Sequence, residues 1–508
     1  MDRGLLFVLP AFMLAILMAG LDQTAVATSL PSIATAMGGL TQLPWVVTAY
    51  GIAIGVSTPI HGKLADSYDR KRLFQAGLVV FLAGSALCGA SQSMAQLIVC
   101  RALQGIGAGG IVVYSQAILA QLIPPAERGR YVGFTQSAFV VSTVAGPVIG
   151  GVITQALSWR YIFYVNVPIC VLALVVVSLR LSLPMISRPR LSLDWPGAVT
   201  FIGAVSGVFM LIELTERSTG WTSPPVLALA AGAVVMVVLC AWIERRARDP
   251  LLPLGLMKNA VFRVVTGTVF TVGFATAAAT VFLPLYLQVV LGYSPARAGL
   301  MLAPLWLMSG MTATVCGQIM ARIGRYRPFP IAGTLLLAAG LAGLAVLGRA
   351  HASYSSALVG ILLVGAGLGL INSVMMIAAQ NAVGAHEIGR ATSATAFSQT
   401  MGAAFGAATL GAVFAVSFPE SPSTSAASPP HPGALEATWQ TLAGLPDALR
   451  SQAIEGFAGA LALVFAVGAG LALVGFLLSL TLRELPLGRH PKTPETQPPA
   501  DRPGDSRS

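Results

Sequence analysis

The chain has 508 residues, of which 55% are hydrophobic and only 10% charged, and its mean hydropathy is +0.78. Soluble globular chains carry about 25% charged residues, so this one cannot be solvated as a single soluble body. Its formal charge of +11 is dispersed between apolar segments, which argues for membrane topology and against a nucleic-acid surface.

Apolar runs bounded by charges or by Pro and Gly fall near 5–34, 43–61, 73–93, 95–120, 131–156, 160–180, 195–215, 225–243, 263–290, 298–320, 329–348, 355–379, 390–416 and 454–482. Each approaches or exceeds the roughly 20 residues that a helix rising about 1.5 Å per residue needs to cross hydrocarbon. The alternation of a membrane barrel is absent, so an all-α polytopic protein of fourteen spans is expected. With the N-terminus inside, 24 of the 30 Lys and Arg residues fall on the cytoplasmic side and five outside, with Arg101 inside a span. That asymmetry orients the chain in the cell's inner (plasma) membrane with both termini cytoplasmic. Residues 417–452, rich in Ser, Pro and Ala, read as an extracytoplasmic loop with a short helix near 434–452. The polar stretch 485–508 reads as a disordered tail.

A faint repeat runs through the chain. Gly62-Lys-Leu-Ala-Asp66-Ser-Tyr-Asp69-Arg70-Lys71-Arg72 follows the second run, and Gly317-Gln-Ile-Met-Ala321-Arg322-Ile-Gly324-Arg325-Tyr-Arg327 follows the tenth. Taking runs seven and eight as an insertion gives a six-helix bundle over 1–183, an inserted pair with its flanking loops over 184–262 and a second six-helix bundle over 263–484. Duplicated bundles of this kind bind their substrate near the midplane.

Of the 19 acidic residues only Asp22, in the first run, lies deep in a span. A charge at that depth costs a few kcal/mol. Because desolvation favours a carboxyl's neutral form, such a group suits loading and releasing a proton; capping a helix break or pairing permanently with a cation is the structural alternative. Arg101, in Arg101-Ala-Leu-Gln104-Gly105 of the fourth run, is its natural partner, since a guanidinium stays charged when buried. An arginine snorkelling to the nearby surface is the other reading. In the fifth run, Gly133 to Gly151 includes Gly146-Pro147-Val-Ile-Gly150-Gly151. Proline deletes a helix hydrogen bond and glycines admit a close neighbour, so a kinked seam is expected. The turn 62–72 holds Gly62, Asp66 and Arg70; positive-inside anchoring explains its basic residues but not Asp66 and Asp69, which suit a contact made in one conformer. Polar candidates for a substrate pocket are Thr24, Gln104, Gln136, Gln288 and Asn372.

The five cysteines lie inside apolar runs without CxxC spacing and the five histidines are scattered, so neither disulfides nor a metal site is expected. No Walker A, GxSxG or HExxH pattern occurs, so nothing supports an enzyme or an ATP-driven pump and no cofactor is called for. The lipid bilayer, a small-molecule substrate and protons are the expected partners, and no pattern identifies an accessory efflux protein.

With these residues in place the chain resembles the major facilitator superfamily, and within it the fourteen-span drug:proton antiporters of the EmrB/QacA-like subfamily. The likeness covers most of 13–410 and rests on ordered motifs. These are Leu21-Asp22-Gln-Thr with Leu30-Pro31, Trp45-Val-Val-Thr-Ala-Tyr50, the turn 62–72, Arg101-Ala-Leu-Gln104-Gly105, and Ala145 to Gly151. Trp159-Arg160-Tyr-Ile-Phe-Tyr-Val-Asn166-Val-Pro168, Leu283-Pro-Leu-Tyr286-Leu-Gln288 and Gly292-Tyr-Ser-Pro295 follow. The resemblance implies two six-helix bundles plus two inserted helices, an antiporter motif over Gly133–Gly151, and export of amphipathic drugs or toxic small molecules by alternating access. Ser142 stands where that motif expects glycine, and Ala321 stands where the first charged turn has Asp66. No acid occurs in 298–320, where some relatives carry one. A dedicated exporter of one secondary metabolite or lipid fits the same residues.

Overall fold

The computed structural model describes residues 3–37, 42–43, 45–123, 125–183, 194–217, 223–247, 255–293, 295–349, 353–384, 387–417 and 447–486. Fourteen helices of eighteen residues or more run through them: α1 (Arg3–Met37), α2 (Trp45–Ser67), α3 (Arg70–Ala90), α4 (Met94–Leu122), α5 (Pro125–Ala156), α6 (Arg160–Arg180), α7 (Trp195–Arg217), α8 (Pro224–Arg246), α9 (Ala260–Ala277), α10 (Pro295–Ile323), α11 (Pro328–Arg349), α12 (Tyr354–Asn381), α13 (Ile388–Ser417) and α14 (Asp447–Leu480). Past Ala277 the helix goes on through π-helical turns at Ala278–Phe282 and Tyr286–Val290. They flank Leu283-Pro284-Leu285, where proline withholds an N–H and crowds the preceding turn, so the wider winding relieves it.

Ten of these helices are long and apolar enough to cross a bilayer; α2, α5, α7 and α13 fall below that mark. The expected fourteen spans therefore stand as fourteen helices with ten clear spans among the described residues. The physical reason lies in the packing. Three of the four weaker helices, α2, α5 and α13, are those that meet across the middle of the molecule, α5 against α10 and α2 against α13. Shielded by their neighbours, α2 and α13 can hold Ser, Thr and Gly in place of Leu and Ile, whereas α5 still turns Val141, Val148 and Val152 outward. Helix α8 likewise turns Leu227, Val234, Val238 and Trp242 outward, which only acyl chains can solvate.

The packing repeats with an offset of eight helices. Helix α1 packs on α5 and α6, α4 on α2 and α3, and α3 on α6; likewise α9 packs on α13 and α14, α12 on α10 and α11, and α11 on α14. The pair α7–α8 falls outside this pattern and seats on the α2/α13 seam, where Phe201 and Val205 of α7 join Val56 and Met401, and the Phe201 and Phe397 rings lie 5.1 Å apart. The residues 418–446 and 487–508, which cover most of the expected loop and tail, lie outside the described residues. Residues 447–452, placed in that loop by sequence, belong to α14.

Helix α5 is continuous through Pro147. A Cβ at Gly146 would strike Thr24, and one at Gly150 would strike Ala25 and Thr28, whereas Gly151 faces open space. Two glycines of the motif thus let α1 and α5 touch, as Gly402 and Gly406 of α13 do against Phe270 and Phe274 of α9. The surroundings of Gly133, Gln136 and Pro147 lie outside the described residues. Gly146→Ala and Gly150→Ala should each destabilise the protein by about 1–3 kcal/mol, the usual cost of overpacking. Gly151→Ala should be neutral or stabilising by up to about 1 kcal/mol, because alanine loses less entropy in a helix. Thermal unfolding of the three variants in one detergent checks the contrast.

Candidate functional site

Helices α1, α2, α4 and α6 bring one polar cluster into the middle of the first six helices. Asp22 of α1 and Arg101 of α4 are 1% and 0% exposed, and the Arg101 Nη1 donates to Asp22 Oδ2 in an ion pair. Gln104 Nε2 and Asn166 Nδ2 each donate to the other carboxylate oxygen at 2.8 Å. Arg101 Nη1 also reaches Gln104 Oε1 at 2.8 Å, and its Nε reaches the Val46 carbonyl at 3.1 Å. The guanidinium carbon lies 4.1 Å from the Tyr50 ring centroid, while the Tyr50 hydroxyl donates to the Ala19 carbonyl at 3.2 Å. Asn166 is held in turn by Ser85 Oγ at 3.0 Å. Removing two charges from water is costly unless pairing and further hydrogen bonds offset it, and this cluster supplies both. Arg101 is therefore buried and paired, not snorkelling to the surface.

A second polar contact joins the two groups of helices at the Arg-rich end of α2. Asp66 accepts the backbone N–H groups of Gly389 at 2.7 Å and Arg390 at 2.8 Å, in the first turn of α13, where unpaired amides and the helix dipole favour an anion. Arg70 pairs with the same carboxylate at 3.4 Å. No side chain separates the helices, since a Cβ on Gly62 would strike Ser393 and one on Gly389 would strike Asp66. Arg70 also donates to the Ala117 carbonyl at 2.9 Å, and Arg128 to the carbonyls of Ile123 at 2.9 Å and Ala120 at 2.5 Å. Two guanidiniums thus stand on the negative end of α4. The second charged turn bonds within its own half: the Tyr326 hydroxyl donates to Arg483 O at 2.9 Å, the Tyr326 N–H donates to Glu484 at 3.1 Å, and Arg327 donates to Leu480 O at 2.8 Å. The asymmetry follows from Ala321, which has no carboxylate to reach across.

Between the halves lies a cavity of about 310 Å³ whose walls include Ile16, Gln116, Thr135, Trp306, Ser373 and Gln399. Of the five pocket candidates, Asn372 lines it, and Gln399 Nε2 donates to its Oδ1 at 2.9 Å. Thr24 and Gln104 are placed elsewhere. Thr24 donates to its own helix at Gly20, 3.0 Å, and to Ser142 of α5 at 3.2 Å, and Gln104 is spent on the Asp22 cluster. Gln288, in the π-helical stretch, is not among the cavity's lining residues, and the Gln136 side chain lies outside the described ones. Sequence reasoning placed Tyr50 and Asn166 in motifs without giving them a role at the site, and did not single out Gln116 or Gln399. Amides inside apolar runs are costly unless bonded, and that signal could have found Asn166, Gln116 and Gln399.

Comparison with known proteins agrees with this geometry. The family model described as Major Facilitator Superfamily matches residues 12–407. The chain belongs to the Major Facilitator Superfamily. An uncharacterized MFS-type transporter of Mycobacterium tuberculosis is 35% identical over 494 residues, 96% of this chain and 70% of that one. The multidrug transporter protein MdtP of Bacillus subtilis is 31% identical, covering 79% of this chain and 73% of that protein. The multidrug resistance protein Stp of M. tuberculosis is 32% identical, covering 82% and 77%. The human organic anion transporter MFSD10 superposes with a TM-score of 0.64 at 15% identity over 94% of this chain and all of that one. The proton:xylose symporter XylE does so with a TM-score of 0.61 at 15% identity, covering 94% and 96%. The protein is thus a multi-pass major facilitator transporter and not an enzyme, and transporters of this family bind small molecules within the membrane.

The Asp66 contact should respond to acid in a defined direction. Burial pushes its carboxyl from 3.8 up to about 6, against the pull of the Arg390 and Gly389 amides and the Arg70 and Arg390 charges. Between those two values the closed contact holds a proton that a hydrated Asp66 has released. Closing therefore takes up a proton, is favoured by acid, and loses that support as pH rises through about 6. Spin labels at the Gly389 end of α13 and the Asp66 end of α2 should report more short distances at pH 5 than at pH 7 in this transporter. Asp66→Asn should flatten the dependence, and an unchanged slope would remove Asp66 as its source.

Proposed function

We propose that this transporter is a proton-coupled antiporter that exports amphipathic drugs or other toxic small molecules by alternating access. The observation that carries the reading is the enclosed Asp22–Arg101–Gln104–Asn166 cluster. In the conformation described the carboxylate is bonded by one cation and two amides. It becomes a proton carrier when a second conformation withdraws Arg101, and it is emptied again when the pair re-forms. The proton gradient is then the energy source and no cofactor is required.

On this reading α1–α6 and α9–α14 are two six-helix bundles that rock about the central cavity, α7–α8 are an inserted pair, and all fourteen helices span the inner membrane. Both ends are cytoplasmic, which makes the Asp66 contact a cytoplasmic latch. Gly62, Asp66 and Arg70 form its moving side, and Gly133, Gly146, Pro147, Gly150 and Gly151 form the α5 seam that lets α1 shift. Relatives bearing multidrug names at moderate identity support the substrate class, and the internal repeat supports rocking.

Asp22→Asn keeps size and hydrogen bonding but cannot carry a proton. In proteoliposomes energised by a pH gradient, export by Asp22→Asn should fall to the level of protein-free vesicles while the protein still folds. Arg101→Ala should be severely impaired and Arg101→Lys partly active, since lysine keeps the charge without the planar fork. Undiminished gradient-driven export by Asp22→Asn would end the coupling assignment.

A further inference from the structure

The cavity has a chemistry that the position of the proton site makes informative. No acidic or basic side chain lines it among the described residues. Asp22 is not on its wall, and the three donors from Arg101, Gln104 and Asn166 occupy both carboxylate oxygens. A cation entering from water would lose its hydration with no counter-charge to replace it, which costs several kcal/mol in a protein interior.

The wall does contain two unanswered polar atoms. Gln116 Oε1 of α4 and Ser373 Oγ of α12 are buried without a hydrogen-bond partner, on side chains of residues 6% and 1% exposed. Gln116 Nε2 is engaged with Thr135 Oγ1 at 3.4 Å, so its free atom is an acceptor that asks for a donor. Buried polar groups left unpaired are costly and uncommon in native proteins. Around these atoms stand Ile16, Trp306 and Met376, an apolar and polarisable surface. At about 310 Å³ the space sits at the small end of ligand pockets, which run about 300–1,000 Å³.

We infer that the transported substrate is a small uncharged amphiphile with at least one N–H or O–H donor, held between Gln116 of the first bundle and Ser373 of the second, and that organic cations are excluded. This rests on the exporter reading for the word transported, while the pocket chemistry stands by itself. A ligand bonded to both halves favours the conformer that sets Gln116 and Ser373 at its own length, so binding biases the rocking equilibrium without touching Asp22.

Equilibrium binding to the full-length protein in lipid nanodiscs tests this, with radiolabelled chloramphenicol and N-phenyl-1-naphthylamine as uncharged donors and tetraphenylphosphonium as a cation without one. At least one uncharged probe should bind saturably and the phosphonium should not. Gln116→Leu should weaken that binding about tenfold, the scale of one lost buried hydrogen bond. Ser309→Asp, which sets a carboxylate on the cavity wall, should gain saturable phosphonium binding, a result that a misfolded variant cannot give. Saturable phosphonium binding by the unaltered protein, no binding of either uncharged probe, or full affinity in Gln116→Leu overturns the inference. Phosphonium export abolished by Asp22→Asn would overturn the pocket chemistry and leave the exporter standing. Gln116-dependent binding with no gradient-driven movement would do the reverse.

Discussion

A carboxylate and a guanidinium sealed together in the hydrocarbon layer set the terms for the first half of this molecule. Neither Asp22 nor Arg101 can be left alone there, because an unpaired buried charge costs several kcal/mol. Everything that touches them serves that constraint. Tyr50 lays its ring against the guanidinium, Val46 gives a carbonyl, and Gln104 and Asn166 close the carboxylate. The close approaches that make this possible are made by glycine: a Cβ on Gly105 would strike Tyr50, and one on Gly84 would strike Gln104. The small residues of α3 and α4 are the geometric condition for four helices to converge on one ion pair.

The same constraint explains why the repeat is structural and not chemical. Helices α9–α14 reproduce the neighbour pattern of α1–α6, yet they carry neither a deep acid nor a crossing carboxylate. The Asp22–Arg101 pair and the crossing carboxylate sit in the first half, and the second offers the first-turn amides of α13 at Gly389 and Arg390, which Asp66 accepts. One half supplies the carboxylates and the other the amides that receive Asp66, so the duplicated scaffold is chemically asymmetric.

Much of this was legible in the sequence. Most helix bounds follow the apolar runs to within about three residues, as with Trp195–Arg217 against 195–215, because a lipid-facing helix must be apolar from one interface to the other; α2, α5 and α14 run six or seven residues past theirs into polar ends. Asp22 and Arg101 were legible as a pair because charges in hydrocarbon are too costly to be incidental. The span count was not settled by the same rule, since α2 and α13 are shielded by other helices and need not be apolar. The pocket was mostly illegible. Ser and Thr bond the carbonyl of their own preceding turn, as Thr24 does to Gly20, so their presence on a membrane helix says nothing of what they face. Gln104 illustrates the limit: three residues from Arg101, it was visible as polar, but only the fold shows it consumed by the ion pair.

An uncharged pocket, together with Asp22 as the one proton carrier proposed, also fixes the electrical character of the proposed cycle. If one proton enters for each uncharged molecule that leaves, one elementary charge crosses the membrane per turn, and a potential of about 100 mV contributes about 2.3 kcal/mol. At about 1.4 kcal/mol per factor of ten, that is roughly fifty-fold in attainable gradient. A monocation exchanged for one proton would move no net charge and could draw on the pH difference alone. A carboxylate in the cavity would attract cations, but it would add a second titrating site and a charge to be moved between states. On the proposed cycle a neutral wall keeps substrate recognition apart from the Asp22 pair, the two being joined through helix α4, which carries Arg101 and Gln104 on the one hand and Gln116 about three to four turns further along.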